Sequence, residues 1–217
     1  MPYGERAGVM GVRRDYLAVA DSAVALLKDP AVASTWGEPS ALEDFSVGWL
    51  AFHLANQIFH VPQATPSPGP AISLAENYAR AAWVGKGASH EVNVRIRQNS
   101  ENDATEGVST LISKVEAALA DVRSLTAEAP EDLIVHIERA GWDLTFDDFL
   151  TTRLMELVVH SDDLAVSVGV PTPPVPESAA STVVALLGRI AVRRHGATAV
   201  IRALSRAERA PSTISAL

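Results

Sequence analysis

The stretch "TRLMELVVHSDDLAV", Thr152 to Val166, limits the architecture more than any other part of the chain. Leu154, Leu157 and Leu164 mark one side of a helix, while Met155, Val158, Val159 and Val166 make most of the remaining circumference apolar as well. A helix that is apolar nearly all round has to be enclosed by other elements. This one nonetheless carries Arg153, Glu156, His160 and Asp163. At about 100° per residue those four side chains share an arc of roughly 80°, bordering the leucine stripe rather than opposing it. A charge in such a place costs several kcal/mol unless it is paired or bound to a metal.

The second polar seam lies about a hundred residues upstream, in "SVGWLAFHLANQIFHV". Val47, Leu50, Leu54, Ile58 and Val61 form its core stripe, and His53, Asn56, Gln57 and His60 fall along one flank. Two helices of this kind can meet seam to seam. A His from one, with a Glu and a His one turn apart on the other, would give three metal ligands and an open position, a set suited to zinc or another divalent transition ion. Simpler readings stay open at this point. Glu156 and His160 can be a hydrogen-bonded pair, Arg153 and Glu156 an ion pair at i, i+3, Asp163 a solvated carboxylate, and His53 a core histidine. His60, His90, His136 and His195 read as structural, and Gln57 and His60 could line a pocket mouth.

The rest of the pattern is mostly helical, which makes the predicted fold class all-α. Apolar periodicity predicts helices from Gly11 to Lys28, stopped by Asp29-Pro30, and from a cap at Asp44 or Ser46 to the Pro62 break. It predicts a third from about Ile72 to Gly85, and a fourth in "VSTLISKVEAALADVRSL". The fifth runs from about Asp147 to Val168. "TPSPGP" reads as a loop, and "RQNSENDATEG" as an exposed connection or helix start. Alternation in Asp132 to Phe146, with Ala140-Gly141 at its middle, predicts a short β-hairpin. "GVPTPPVPES" is a Pro-rich linker, followed by one or two more helices. The expected organisation is a helical bundle over residues 1–170 and, over 171–217, the linker with a helical extension packed on the bundle.

Composition removes several functional classes. The chain has 217 residues, with 47% hydrophobic and 20% charged, the balance of a folded domain. Its net charge of -8 argues against nucleic acid or an anionic membrane as partner. No apolar run approaches the roughly 20 residues of a membrane span, and the N-terminus lacks a signal-peptide core, so the expected address is cytoplasmic. There is no Cys, so any thiol chemistry must use a thiol from outside the chain.

The two seams together carry a resemblance. "SVGWLAFHLANQ" followed by "RLMELVVHSDDLAVSVGVP" resembles the N-terminal domain of the mycothiol-dependent maleylpyruvate isomerase family, a branch of the DinB-like metal-binding four-helix bundles. The resemblance covers about residues 11–171. It implies a DinB-like four-helix bundle in which His53, Glu156 and His160 bind zinc or a related divalent ion. Arg153 and Asp163 match the family's Arg three before the Glu and Asp three after the second His, and "STWGEPS" resembles its loop leading into the second helix. Phe45 stands where the family often has a tryptophan. The isomerase carries a further α/β domain after the bundle, whereas about 45 residues of helical pattern follow here.

The activity implied is a metal-dependent enzyme that activates mycothiol for S-transfer to, or cis-trans isomerisation of, a small electrophile. Arg153 would take a supporting or substrate-carboxylate role, and Asp163 would orient a ligand. The partners implied are mycothiol and the electrophile, with the chain a monomer or homodimer. The alternatives are a DinB-like hydrolase with water in the open position, or a bundle that binds metal without turnover.

Overall fold

A computed structural model describes residues 5–42, 44–81 and 106–217, with residues 5–10 described by their backbone alone. Helix α1 spans Glu5–Leu27, starting six residues before the expected Gly11. Asp29-Pro30 ends it as expected, and also starts something: the Asp29 carboxylate accepts from the Ala31 N–H at 2.8 Å and caps a five-residue helix α2, Pro30–Ser34. Helix α3 is Val47–Phe59, and of the two candidate caps it uses Ser46, whose hydroxyl accepts from the Trp49 N–H at 3.1 Å. Helix α4, Leu74–Arg80, is shorter than the third expected helix, because Ser73 caps its start and the chain is already extended at Ala81. The last four residues of the expected span, 82–85, His90 and most of "RQNSENDATEG" lie outside the described residues.

Helix α5 is Val108–Glu128. The predicted hairpin follows as β2, Ile134–Ile137, and β3, Trp142–Thr145, with Gly141 at φ 77° in the turn, where a side chain would be strained. "TPSPGP" is not wholly irregular. Thr65–Pro66 forms a short strand β1, antiparallel to β2 with Thr65 opposite His136, so the hairpin becomes a three-stranded sheet. Helix α6 is Phe146–Val168, capped by Thr145 and ended by Gly169 in the left-handed conformation. Helices α7, Glu177–His195, and α8, Ala197–Ser205, complete the chain with a 3-10 turn at Ala207–Arg209. The molecule is mainly helical with a small antiparallel sheet, as the sequence predicts.

The long helices close into a ring: α1 packs on α6, α6 on α3, α3 on α5, and α5 on α1. Helix α7 lies against both α6 and α1. Helix α6 is therefore covered from three sides, which accounts for how much of its circumference is apolar. Leu150, Leu154, Met155, Leu157 and Leu164 are all fully buried, each contributing about 1.5–3 kcal/mol. Its first turn is anchored by Arg13, whose Nε donates to Asp147 Oδ1 at 2.8 Å. The same guanidinium donates to the carbonyls of Ala129 and Pro130 at 2.6 and 2.9 Å, so this buried charge is satisfied. Among the described residues no helix is long and apolar enough to cross a membrane.

The entry into α3 depends on Gly48. Its N–H donates to the Trp36 carbonyl at 2.8 Å, and a Cβ there would sit 2.7 Å from the Trp36 indole, itself packed edge-on against Phe52. Gly48→Ala gains helix propensity of about 1 kcal/mol but forces apart a contact that both backbones hold. Overpacking is the larger effect. The variant is expected to melt about 2–8 °C lower in calorimetry.

Candidate metal centre

The two seams face each other. Helix α3 presents His53 and α6 presents Glu156 and His160, and one donor atom from each lies within 4.8 Å of the other two. The Nε2 of His160 is 3.1 Å from Glu156 Oε2, and the His160 ring meets the His53 ring edge-on, with centroids 4.5 Å apart. Glu156 is buried, while both histidines are half-buried. Among the described residues this is the one cluster of three such side chains with metal-ligand spacing. Asp163, one turn beyond on α6, accepts from His160 Nδ1 at 3.0 Å.

The protonation states follow from these contacts. Both nitrogens of His160 face carboxylates. Burial alone would push its pKa down, but the hydrogen bonds and charges of Asp163 and Glu156 prevail and raise it to about 9. Burial pushes the Glu156 carboxyl up, yet its hydrogen bond to His160 and the neighbouring positive charges hold it at about 2. His53 is driven down to about 3, by burial first and by the His160 charge second. Near neutral pH the metal-free site is therefore a neutral imidazole, a carboxylate and an imidazolium.

This donor set fits a divalent ion. Four ligands at about 2.1 Å in a tetrahedron stand about 3.4 Å apart, so the Glu156 to His160 spacing needs almost no change. With all three donors within 4.8 Å of one another, His53 has to close by at most about 1.4 Å. Asp163 on Nδ1 holds the ring with Nε2 toward the other two donors, as carboxylates commonly do for metal-ligating histidines. Loss of the Nε2 proton is the one change of ionisation that binding requires.

The wall behind His53 is aromatic. Its ring stacks on Trp49 at 4.9 Å between centroids and 11° between planes, and Trp49 stacks in turn on Phe45 at 3.7 Å. Trp49 stands one helical turn before His53, whereas Phe45 precedes the Ser46 cap and reaches the column from outside the helix, at the position where the resembled family often has a tryptophan. The stack leaves the imidazole little freedom to rotate.

Arg153 stands beside the triad but does not join it. The i, i+3 ion pair with Glu156 that the spacing allows is not formed. Instead Arg153 Nη1 donates to Gln57 Oε1 at 2.6 Å and Nε to Thr152 Oγ1 at 3.1 Å. Gln57 is buried rather than at a pocket mouth. His60 is half-buried and kept neutral, down to about 3, by burial and then by the charges of Arg153 and Arg139. His136 lies on the sheet, where its Nδ1 donates to Asp143 Oδ1 at 2.6 Å while Ser67 donates to the other oxygen at 2.7 Å. His195 donates to the Ser215 carbonyl at 2.8 Å in the C-terminal segment.

Residues 16–165 match the family described as the mycothiol maleylpyruvate isomerase N-terminal domain. No curated protein and no solved structure matches the chain.

Proposed function

The chain belongs to the mycothiol maleylpyruvate isomerase N-terminal domain family, and from that premise we propose that it is a divalent-metal-dependent enzyme using mycothiol. In this reading His53, Glu156 and His160 hold the ion, zinc in the first instance. The reaction is S-transfer to, or cis-trans isomerisation of, a small electrophile. The observation that carries the reading is the convergence of three donors from two helices, with Asp163 fixing the far nitrogen of one of them.

A divalent ion held there supplies a Lewis acid with an open position, which favours the thiolate form of a thiol otherwise near pKa 8.5. The chain's residues do the rest. Two neutral imidazoles and one carboxylate leave about one positive charge at the site, enough to draw an anionic sulfur without binding it irreversibly. With no Cys in the chain, no internal thiolate competes. In transfer, the mycothiol sulfur forms a bond to the electrophilic carbon as a leaving group departs with the bonding pair. In isomerisation, the sulfur adds to one carbon of a double bond, the resulting single bond rotates, and the sulfur leaves again.

Arg153 serves the electrophile. Among the described residues no carboxylate lies within ion-pair distance of it, and its Nη2 makes no hydrogen bond, so its charge is available to an anionic group on the substrate. The cobalt(II)-loaded chain tests the proposal. Mycothiol at millimolar concentration is expected to add a sulfur-to-cobalt charge-transfer band that the His53→Ala variant lacks. A spectrum unmoved by the thiol would sink the thiol assignment and leave water as the natural occupant of the open position.

A further inference from the structure

Arg153 and Glu156 stand three residues apart on α6, a spacing at which opposite charges on a helix pair readily. Charge-assisted hydrogen bonds outweigh neutral ones, so a guanidinium one turn from a buried carboxylate should be drawn to it. It is held elsewhere. Arg153 donates to the Gln57 amide oxygen at 2.6 Å and to Thr152 at 3.1 Å, with its guanidinium carbon 5.6 Å from the Phe149 ring centre. Glu156 is left to His160.

Gln57 is unusually well fixed for this task. It is 2% exposed, and its Nε2 donates to the His53 carbonyl at 2.8 Å, which turns Oε1 toward α6. Its own main-chain carbonyl accepts from the Tyr16 hydroxyl at 3.0 Å, so α1 braces the same turn of α3. One side chain thus bonds both the backbone of a candidate ligand and the cation nearest the site.

We propose that Gln57 is a positioning residue that keeps Arg153 off Glu156 and so keeps that carboxylate available to the metal. The inference rests on the metal reading above. Without Gln57, the guanidinium loses its only acceptor on α3, and Glu156 becomes its nearest partner at helical spacing. The ion would then compete with an internal cation for one of its three ligands.

A mutant cycle on zinc affinity tests this, using the full chain, chelator competition, and melting of the metal-free proteins as the check on folding. Gln57→Met is expected to weaken zinc binding about tenfold, in the range of supporting residues around metal sites. Arg153→Met alone is expected to stay within about threefold of wild type, and the double variant Gln57→Met with Arg153→Met to return to within about threefold, because the competitor has gone. Gln57→Glu, which still captures Arg153, is expected to keep most of the affinity. A double variant as weak as Gln57→Met, or an unchanged Gln57→Met, would overturn the proposal, since a packing defect is not repaired by removing an arginine. If Gln57→Met does not fold, Gln57→Asn takes its place in the cycle, its shorter amide being unable to reach Arg153. A wild type that binds no zinc overturns the metal reading and this inference together. Zinc binding with purely additive losses overturns this inference alone.

Discussion

His160→Ala is expected to lower the zinc affinity of the chain at least about a hundredfold, because a site worth roughly 10 kcal/mol loses one of three ligands. Glu156→Ala and His53→Ala are expected to do the same, and the triple variant to retain no stoichiometric ion after dialysis. The three losses have different side effects. Glu156→Ala removes the carboxylate opposite His160 Nε2 and the hydrogen bond between them, so the metal-free protein should lose stability too. His53→Ala removes one plate from the Phe45–Trp49–His53 column, so the Trp49 emission should shift even without metal. His136→Ala is the control: it breaks the Asp143 contact on the sheet and is expected to leave zinc affinity unchanged. Retention of zinc by the triple variant would defeat the ligand assignment.

The second large effect is on pH. His160 holds its proton up to about 9 in the metal-free chain, because Asp163 and Glu156 overcome the effect of burial. An ion can take Nε2 only after that proton leaves. The sign follows directly: a raised pKa means a tighter competitor, so affinity rises with pH until about 9 and falls below it. His53, at about 3, and Glu156, at about 2, already have their metal-binding forms near neutrality and add nothing to the slope. Zinc affinity is therefore expected to fall about tenfold per pH unit, or about a hundredfold from pH 8 to pH 6. Calorimetry at pH 7 in buffers of different ionisation enthalpy should find about one proton released per ion. Release of none, or of two, would contradict these ionisation states. Asp163→Asn is expected to flatten the slope, by removing part of what holds the proton.

How much of this was legible in the sequence differs from element to element. The polar arc on Thr152–Val166 and the matching flank of Val47–Phe59 were readable because helical periodicity is a property of spacing alone, and both helices are long enough to show it. The hairpin was readable from alternation and Gly141. Strand β1 was not: two residues, one of them a proline, carry no period, and Thr65–Pro66 is extended because β2 offers it an edge. Helix α2 is too short for periodicity, although the Asp-Pro pair that stops α1 is also a helix-start signal. At the site, helical spacing places Gln57 on the correct flank but cannot name its partner on another helix, so its burial and its hold on Arg153 are visible only in the packing. The same limit applies to Arg153 and Glu156. Their spacing favours an ion pair, and tertiary contacts from α3 override it.

In the proposed centre two imidazoles and one carboxylate, from α3 and α6, would surround one ion and leave a place for sulfur. X-ray absorption at the zinc edge of the zinc-loaded chain, before and after mycothiol, tests that most directly. The expected first spectrum has a shell of nitrogen and oxygen neighbours at about 2.0–2.1 Å with the outer scattering of two imidazole rings, and the second gains one sulfur neighbour at about 2.3 Å. A first shell of oxygens without imidazole scattering, or a second spectrum identical to the first, would contradict it.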